Sequence, residues 1–576
     1  MIENLVKKGK QLLSSQQTSI LSAASLIMLM IIASRILGLV RQRVLAHYFS
    51  VEELSLFFAA FRLPDTVFEV LVFGTFSSAF VPVFARMAKR DEKSAWSLAS
   101  SVLNIGIISF VLISLLFSLL APVFYHLVTP GFSLEQQSRI AFLSRYLFFA
   151  QGFFVASYVL TGVLESLKRF LFPALAPVFY NLGMIFGTIL FADHFGLIAP
   201  VFGVIIGAFL HFIVQYPLAH SLGFRFRFKI DDREGLRKIK DLAWPRLVEV
   251  SFLQLSKIAE LFFSSLVSSA AYAYYTFGNT LQLLPVSLIG TSISKAALPN
   301  LAEKADNLEV FKKVLWKTFN EMLFLLLPIA AMFIVLRIPL VRLVYGTDIF
   351  DWQATVQTGM VLSAFAFGIV FQAINSLLSR AFYALHNTKT PVTISMVAIF
   401  LVLFLDFIFI YILKMPVWGL ALGFSLGSFF QSVCLFIFLE KATGGGFWST
   451  NLYLIFKKVL ATLGSSLIMF FTLKFFDRSV WIKKLSFLGK VDVAQKLSFE
   501  KFVLDTRYTF NLLVLTVFVV VIGLLVYLVL SYILGNKELI TLLNLLKRVV
   551  PWRRRKIEMP KVEQEPVSLT DDVNEG

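Results

Sequence analysis

Apolar stretches of about 20 residues recur along the whole chain and alternate with short polar connections. An α-helix of this length crosses the hydrocarbon core of a bilayer, where every backbone polar group must be hydrogen-bonded within the segment. Windows of about 19 residues predict fourteen spans, at approximately 20–40, 54–84, 98–127, 140–164, 171–192, 197–219, 243–267, 271–297, 318–345, 356–384, 391–413, 416–439, 452–475 and 508–534. The second, third and eighth are long or contain proline, which predicts a tilted or broken helix there. The pattern therefore predicts an all-α polytopic membrane protein.

The composition excludes a soluble protein. The 576 residues are 58% apolar and 15% charged, against about 45–50% and 25% in soluble domains, and the mean hydropathy is +0.79. The single cysteine, Cys434, lies in an apolar run. A disulfide scaffold and a cysteine-based metal site are therefore excluded.

The net charge of +18 reflects membrane topology rather than affinity for nucleic acid. Basic residues are concentrated in the N-terminal segment, in the C-terminal tail and in the connections that follow even-numbered spans. Connections after odd-numbered spans are poor in charge, except at Arg41 and Arg43 and in the long connection 476–507. Because basic loops stay on the cytoplasmic side, both termini are predicted to be cytoplasmic.

The two halves of the chain repeat each other at a nearly constant offset. Pro82, which follows a Gly-Thr pair by a few residues, recurs as Pro299, and Pro122 recurs as Pro339, each 217 residues later. The pair Gly203/Gly207 recurs as 423/427, at an offset of 220. The offset covers six spans, an even number, so the two copies have the same orientation. A parallel repeat of this kind predicts two six-helix lobes with a substrate path between them, followed by two extra C-terminal helices.

This organisation predicts six regions. They are a cytoplasmic N-terminal segment (1–19), an N-lobe (20–220), a basic cytoplasmic linker (221–241), a C-lobe (242–440), two further spans with a long external loop (441–535) and a cytoplasmic amphipathic and basic tail (536–576). The tail has two interpretations: a helix lying on anionic lipid, or a stop-transfer cluster of charges followed by a disordered end.

The candidate site residues in or beside the first two spans are Arg35, Arg41, Arg62, Asp65 and Glu69. A basic side chain at a helix centre costs about 2.5–3.5 kcal/mol in lipid, and the last three share one helical face. We therefore expect these residues to line a polar cavity and to bind substrate. A structural ion-pair ladder is the alternative for the last three, and interfacial snorkelling is the alternative for Arg41.

The C-lobe has its own charges inside predicted spans: Glu249, Lys257 and Glu260 in the seventh and Asp406 in the eleventh. We expect a coupling ion, Na⁺ or H⁺, to act at this set. Lys257 and Glu260 are one turn apart and have the alternative of neutralising each other. Asp406 has no cation nearby in the sequence, so it is either an ion site or the partner of a basic residue on another helix.

The chain contains no Walker A loop, no His-Glu-x-x-His and no Gly-x-Ser-x-Gly. We therefore expect a transporter rather than an enzyme, with no cofactor beyond the coupling ion. An ion gradient or the membrane potential would supply the energy. Arginine in a cavity suits a phosphate-bearing cargo, because the guanidinium fork binds phosphate oxygens in a bidentate manner.

Three blocks, Ser34–Arg41, Phe57–Pro64 and Gly74–Pro82, resemble the MurJ/MviN family of the MOP exporter superfamily. The resemblance implies a lipid II flippase of the bacterial inner membrane, working by alternating access in peptidoglycan and cell-wall biogenesis. It also implies that Arg35, Arg41 and Arg62 engage the pyrophosphate. Glu69 stands where the family usually has a basic residue, so the cavity is less basic than the family's.

Two alternatives remain open at this point. One is a MOP-type exporter of another lipid-linked oligosaccharide, and the other is a non-transporting membrane scaffold for cell-wall enzymes. The expected partners are a lipid-linked glycan, membrane lipids and cell-wall synthesis proteins, and a two-lobed cavity is complete in a monomer.

Overall fold

The structure is a computed structural model, and it describes residues 20–73, 79–230, 233–445, 448–477 and 508–549, together with Leu504 and Thr506. Apart from one isolated bridge between Asp477 and Leu504, the regular structure of these residues is helical. The helices are α1 Ile20–Tyr48, α2 Val51–Phe68, α3 Val81–Ala88, α4 Glu92–Val128, α5 Leu134–Ser166, α6 Leu171–Phe195, α7 Ala199–Ile213, α8 Tyr216–Ser221, α9 Arg233–Val267, α10 Ala271–Pro285, α11 Ser292–Glu303, α12 Leu308–Val335, α13 Arg337–Tyr345, α14 Trp352–Ala384, α15 Lys389–Asp406, α16 Trp418–Ala442, α17 Trp448–Phe476, α18 Thr509–Ile533 and α19 Glu538–Val549. The fold is all-α, as predicted.

Within the described residues, eleven helical segments are long and apolar enough to cross a membrane. One of them, Leu171–Ser221, contains two predicted spans, which meet at the short 3₁₀ turn Gly196–Ile198. The first two predicted spans correspond to α1 and to α2 with α3, which are not among the eleven. The fourteen predicted spans are therefore compatible with the observed helices.

The internal repeat predicted from the sequence is visible in the backbone. A π-helical turn continues α2 at Glu69–Phe73, and another continues α10 at Val286–Thr291, 217 residues later. These turns interrupt the regular α-helical hydrogen bonding of the predicted second and eighth spans. Lys168, just after α5, and His386, just after α14, share a left-handed backbone with φ of 59° and 58°. Two copies of one six-helix unit thus lie in the same order along the chain.

The N-lobe helices α6 and α7 approach each other through glycines. A Cβ atom added at Gly187 would lie 2.3 Å from the Cα atom of Gly203, and one added at Gly183 would lie 2.5 Å from the Cα atom of Gly207. Small residues of this kind allow two membrane helices to pack backbone against backbone. The pair Gly203/Gly207, which belongs to the internal repeat, therefore allows close helix packing in this lobe.

The predicted C-terminal tail begins with a helix held against the bundle. The Lys458 ammonium of α17 is fully buried and lies 3.1 Å from the Glu538 carboxylate at the start of α19. It also donates a hydrogen bond of 2.8 Å to the side-chain oxygen of Asn320 in α12. Leu539 packs beside Phe324, so this apolar side of α19 contacts protein. The predicted segment 1–19, the central part of the long external loop and the tail beyond Val549 lie outside the described residues.

The glycine packing predicts a large difference between two Gly→Ala substitutions. Gly187→Ala should lower the apparent unfolding temperature of the detergent-purified protein by several degrees, because overpacking costs about 1–3 kcal/mol. Gly152→Ala is the matched control, since its Cβ atom would meet nothing within 4 Å and alanine favours the helix. Equal unfolding temperatures for the two variants would contradict the proposed backbone-to-backbone contact.

Candidate functional site

A cavity of about 490 Å³ lies between the two lobes. The N-lobe contributes side chains from α1, α2, α5, α6 and α7, and the C-lobe contributes side chains from α9 and α10. Its polar lining includes Arg41, Arg62, Asp65, Glu69 and Glu260. Charged residues from separate predicted spans therefore meet at one place between the lobes.

Arg41 is held at the cavity wall by α6. Its guanidinium donates a hydrogen bond of 3.1 Å to the side-chain oxygen of Asn181 and lies 5.8 Å from the centre of the Tyr180 ring. Asn181 in turn donates to the backbone oxygens of Ser34 and Pro177. The Arg41 Nε atom is buried and has no hydrogen-bond partner among the residues that the structure describes. Part of its hydrogen-bonding capacity is therefore free for a ligand.

Arg62 connects the two lobes across the cavity. It lies on α2, and its guanidinium donates to the hydroxyl of Tyr272 on α10 while lying 5.9 Å from the centre of that ring. Its Nε atom is also buried without a hydrogen-bond partner in the described part of the chain. A cationic side chain with an open donor therefore lies at the junction of the lobes.

In the described structure, Asp65 of α2 and Glu69 of the π-helical turn that follows it do not form the ion-pair ladder with Arg62 that was the alternative interpretation. Asp65 accepts a hydrogen bond of 2.6 Å from the side-chain amide of Gln151 on α5. Glu69 lies one turn further along α2, at the start of the π-helical turn. Among the residues that the structure describes, neither carboxylate makes an ion pair, although Arg62 lies within electrostatic range of Asp65. Both line the cavity.

The C-lobe wall contains one of the three predicted charges of α9. Glu260 lines the cavity, and Lys257 is half-buried nearby, within electrostatic range of Glu260 and Asp65. In the described part of the chain Lys257 and Glu260 do not pair directly. The side chain of Glu249 lies outside the described residues.

Arg35 lies in a neighbouring pocket rather than in the lining of the central cavity. This pocket, of about 410 Å³, is lined by Arg35, Glu165 and the first turns of α6. Pro177 belongs to the walls of both cavities. The structure thus brings Arg41, Arg62, Asp65, Glu69 and Glu260 together and leaves Arg35 next to them.

Asp406 is buried in the C-lobe, away from the cavity lining. Its side chain is 2% exposed, and its Oδ1 atom has no hydrogen-bond partner among the described residues. A Cβ atom added at Gly423 of α16 would lie 2.6 Å from this oxygen, so glycine leaves the space that the carboxylate occupies. A buried carboxylate oxygen without a hydrogen-bond partner is energetically expensive, so Asp406 is the C-lobe charge whose burial is least compensated among the predicted residues that the structure describes.

One edge of the cavity is closed by direct contacts between the lobes. Arg43 of α1 donates hydrogen bonds to the backbone oxygens of Leu343 (2.9 Å) and Val344 (3.2 Å) on α13. The Thr347 hydroxyl donates to the Ala46 backbone oxygen at 2.7 Å. We call these contacts the seam. They lie among the connections that follow odd-numbered spans, the side predicted to be external.

Several residues of the site were not predicted from the sequence. Tyr272, Gln151 and Asn181 hold the predicted charges in place, and Gln42 lines the cavity beside Arg41. Polar amides inside apolar spans were the available signal for Gln151 and Asn181, and an amide just after the first span was the signal for Gln42. No sequence signal pairs Tyr272 with Arg62, because the two residues are 210 positions apart.

Comparison with known proteins gives consistent matches. The model of the family "Lipid II flippase MurJ" matches residues 45–492. The probable lipid II flippase MurJ of Buchnera aphidicola subsp. Acyrthosiphon pisum is 28% identical over 504 aligned residues, covering 84% of this chain and 96% of that protein. The lipid II flippase MurJ of Burkholderia cenocepacia is 27% identical over 437 residues, covering 71% and 81%.

Solved structures extend the likeness to three dimensions. A lipid II flippase MurJ in an inward closed conformation matches with a TM-score of 0.69 and 25% identity, over 89% of this chain and 99% of that one. An inward-facing multidrug resistance transporter of the MATE family matches with a TM-score of 0.60 and 15% identity, over 71% and 94%. The second likeness concerns the fold alone.

The family match covers most of the chain, and the all-α membrane fold agrees with the solved MurJ structure. The protein is thus an inner-membrane transporter rather than an enzyme, and the chain belongs to the lipid II flippase MurJ family.

Proposed function

We propose that the central cavity binds the pyrophosphate of lipid II and that the two lobes expose it alternately to the two sides of the membrane. The observation that carries this proposal is the pair Arg41 and Arg62, which line the cavity and whose buried Nε donors have no acceptor among the described residues. Guanidinium groups bind phosphate oxygens through two parallel hydrogen bonds. Arg35, in the adjoining pocket, completes the proposed basic set.

The cavity volume supports a conformational cycle. A cavity of about 490 Å³ accommodates a drug-sized ligand, whereas a glycan headgroup that carries a peptide is larger. The lobes must separate to admit the whole headgroup. The seam formed by Arg43 and Thr347 closes one side, and with both termini placed in the cytoplasm this side is external. The conformation is then closed towards the outside. One chain lines the whole cavity, which agrees with a monomer.

The arginines are expected to be required for cargo binding. Arg35→Ala, Arg41→Ala and Arg62→Ala should each insert normally but abolish transport. Each should also weaken lipid II binding by about 10- to 100-fold, because a hydrogen bond to a charged group contributes about 1.5–3 kcal/mol. Native mass spectrometry with lipid II and with an ordinary anionic phospholipid measures binding, and a vesicle flipping assay measures transport.

Arg145→Ala is the matched control, because Arg145 is exposed on α5 and donates to the Ser118 backbone oxygen. Arg41→Lys and Arg62→Lys retain the charge but lose the guanidinium fork, so an intermediate affinity is expected. Full transport in all three alanine variants would refute the proposed site.

Locking the seam is expected to stop transport. In a Cys434→Ser background, the pair Ala46→Cys and Thr347→Cys puts one cysteine on each lobe, at two residues joined by a hydrogen bond of 2.7 Å from the Thr347 hydroxyl to the Ala46 backbone oxygen. Oxidation should form a disulfide that prevents the lobes from separating on this side, and flipping should stop until a reductant is added. Each single cysteine variant should be insensitive to oxidation. Normal flipping by the cross-linked protein would exclude alternating access through this seam.

We propose Asp406 as the site at which Na⁺ or H⁺ couples to transport. It is 2% exposed with an unpartnered oxygen, and Glu260 of the cavity wall lies within electrostatic range. A cation or proton at Asp406 would remove the cost of burying a bare carboxylate. Binding of a cation or proton at Asp406 would in this way change the electrostatic potential at Glu260 in the cavity wall.

Asp406→Asn is expected to retain lipid II binding and to lose the response of flipping to an imposed Na⁺ or H⁺ gradient. The amide cannot bind a cation as tightly as a carboxylate and does not titrate. Flipping rates in vesicles with and without each gradient measure the response. Asp193→Asn, at an exposed position at the end of α6, is the control. An unchanged gradient response in Asp406→Asn would rule out this coupling site.

A further inference from the structure

The central cavity is lined by more carboxylates than guanidinium groups. Asp65, Glu69 and Glu260 line it together with Arg41 and Arg62. The guanidinium groups already have neutral partners, since Arg62 donates to Tyr272 and Arg41 donates to Asn181. In the described part of the chain none of the three carboxylates forms an ion pair. Arg62 and Lys257 lie within electrostatic range of Asp65 and Glu260, but three carboxylates exceed what a cavity built only to receive phosphate needs.

Gln42 gives independent evidence for a donor group on the ligand. Its side chain is 4% exposed and lines the cavity, and its Oε1 atom is buried without a hydrogen-bond partner in the described structure. Buried acceptors are nearly always paired, and leaving one unpaired costs about as much as a lost hydrogen bond. An N–H donor that enters the cavity would pair with this oxygen.

Aromatic rings complete the surroundings that a cation prefers. Tyr275 and Phe61 line the cavity together with Glu260 and Glu69. Aromatic faces attract ammonium groups, and the attraction is stronger where water is excluded. An alkyl ammonium therefore finds charge neutralisation, a hydrogen-bond acceptor and aromatic contacts in the same cavity.

We propose that the cavity recognises a primary amine on the cargo headgroup in addition to its phosphates. Asp65, Glu69 and Glu260 neutralise the ammonium, and the oxygen of Gln42 accepts one of its hydrogen bonds. Arg41 and Arg62 take the phosphate oxygens. The cargo class is thus a zwitterionic headgroup, such as a lipid pyrophosphate whose peptide has a basic side chain. This inference rests on the proposed function and specifies which part of lipid II the cavity recognises.

The test compares lipid II whose peptide bears a free side-chain amine with the same lipid after acetylation of that amine. Acetylation removes the positive charge and leaves the pyrophosphate and the glycan unchanged. Affinities are measured by native mass spectrometry on the full chain, in potassium and in sodium buffer. Acetylation is expected to weaken binding to the wild-type protein at least about tenfold, the effect of one charge-assisted hydrogen bond.

Variants locate the effect in the cavity. In Glu69→Gln and in Glu260→Gln the difference between the two lipids should shrink several-fold, since a neutral amide attracts an ammonium less strongly. Glu135→Gln is the control, because Glu135 is exposed in the first turn of α5, outside the cavity. It should keep the full tenfold difference.

The outcomes separate this inference from the proposed function. Equal binding of the two lipids to the wild-type protein overturns amine recognition and leaves lipid II as the cargo. If sodium strengthens the binding of both lipids equally and acetylation has no effect on binding, the carboxylates hold an inorganic cation and the inference is wrong. Binding of neither lipid overturns the proposed function as well. A difference between the lipids that persists unchanged in both glutamine variants would place amine recognition elsewhere and overturn this site.

Discussion

The arrangement of the two lobes depends on the high free energy of a charged side chain in lipid. Arg62, Asp65 and Glu69 share one face of α2, and each would cost about 2.5–3.5 kcal/mol if that face met the bilayer. The opposite face of α2, with Leu63 and Val67, is buried in the N-lobe. The helix therefore has one orientation that satisfies both faces, and this orientation creates a polar cavity between the lobes. The cavity is thus a consequence of where the charges can lie.

The two lobes show how one backbone repeat supports different chemistry. The π-helical turns and the left-handed residues Lys168 and His386 occur at matching places, so the path of the chain is shared. In the N-lobe, Gly187 lies against Gly203. In the C-lobe the corresponding helix pair places the Asp406 carboxylate against Gly423. The glycines of α7 and α16 create the same space, which one lobe fills with backbone and the other with an ionisable group.

Most of the fold was predictable because it is set by patterns that each helix carries in its own sequence. Apolar length predicts the spans, and the 217-residue offset predicts the lobes. The partners of the charged residues were not predictable. Arg62 meets Tyr272, and Asp65 meets Gln151, because separate helices cross at particular heights, which no local pattern encodes. For the same reason Arg35, although only six residues before Arg41, faces a different pocket.

The contact between Arg62 and Tyr272 also relates cargo binding to the proposed movement. It joins α2 of one lobe to α10 of the other, so separation of the lobes at this point would remove the acceptor from a buried guanidinium. A ligand shifts a conformational equilibrium only by the difference in its affinity for the two states. A phosphate oxygen that replaces the Tyr272 hydroxyl would supply this difference, because it binds Arg62 in the state where the protein offers no partner. The Tyr272 hydroxyl is a weaker acceptor than phosphate. It therefore pairs with Arg62 when no cargo is bound, and a phosphate oxygen can displace it when the lobes separate.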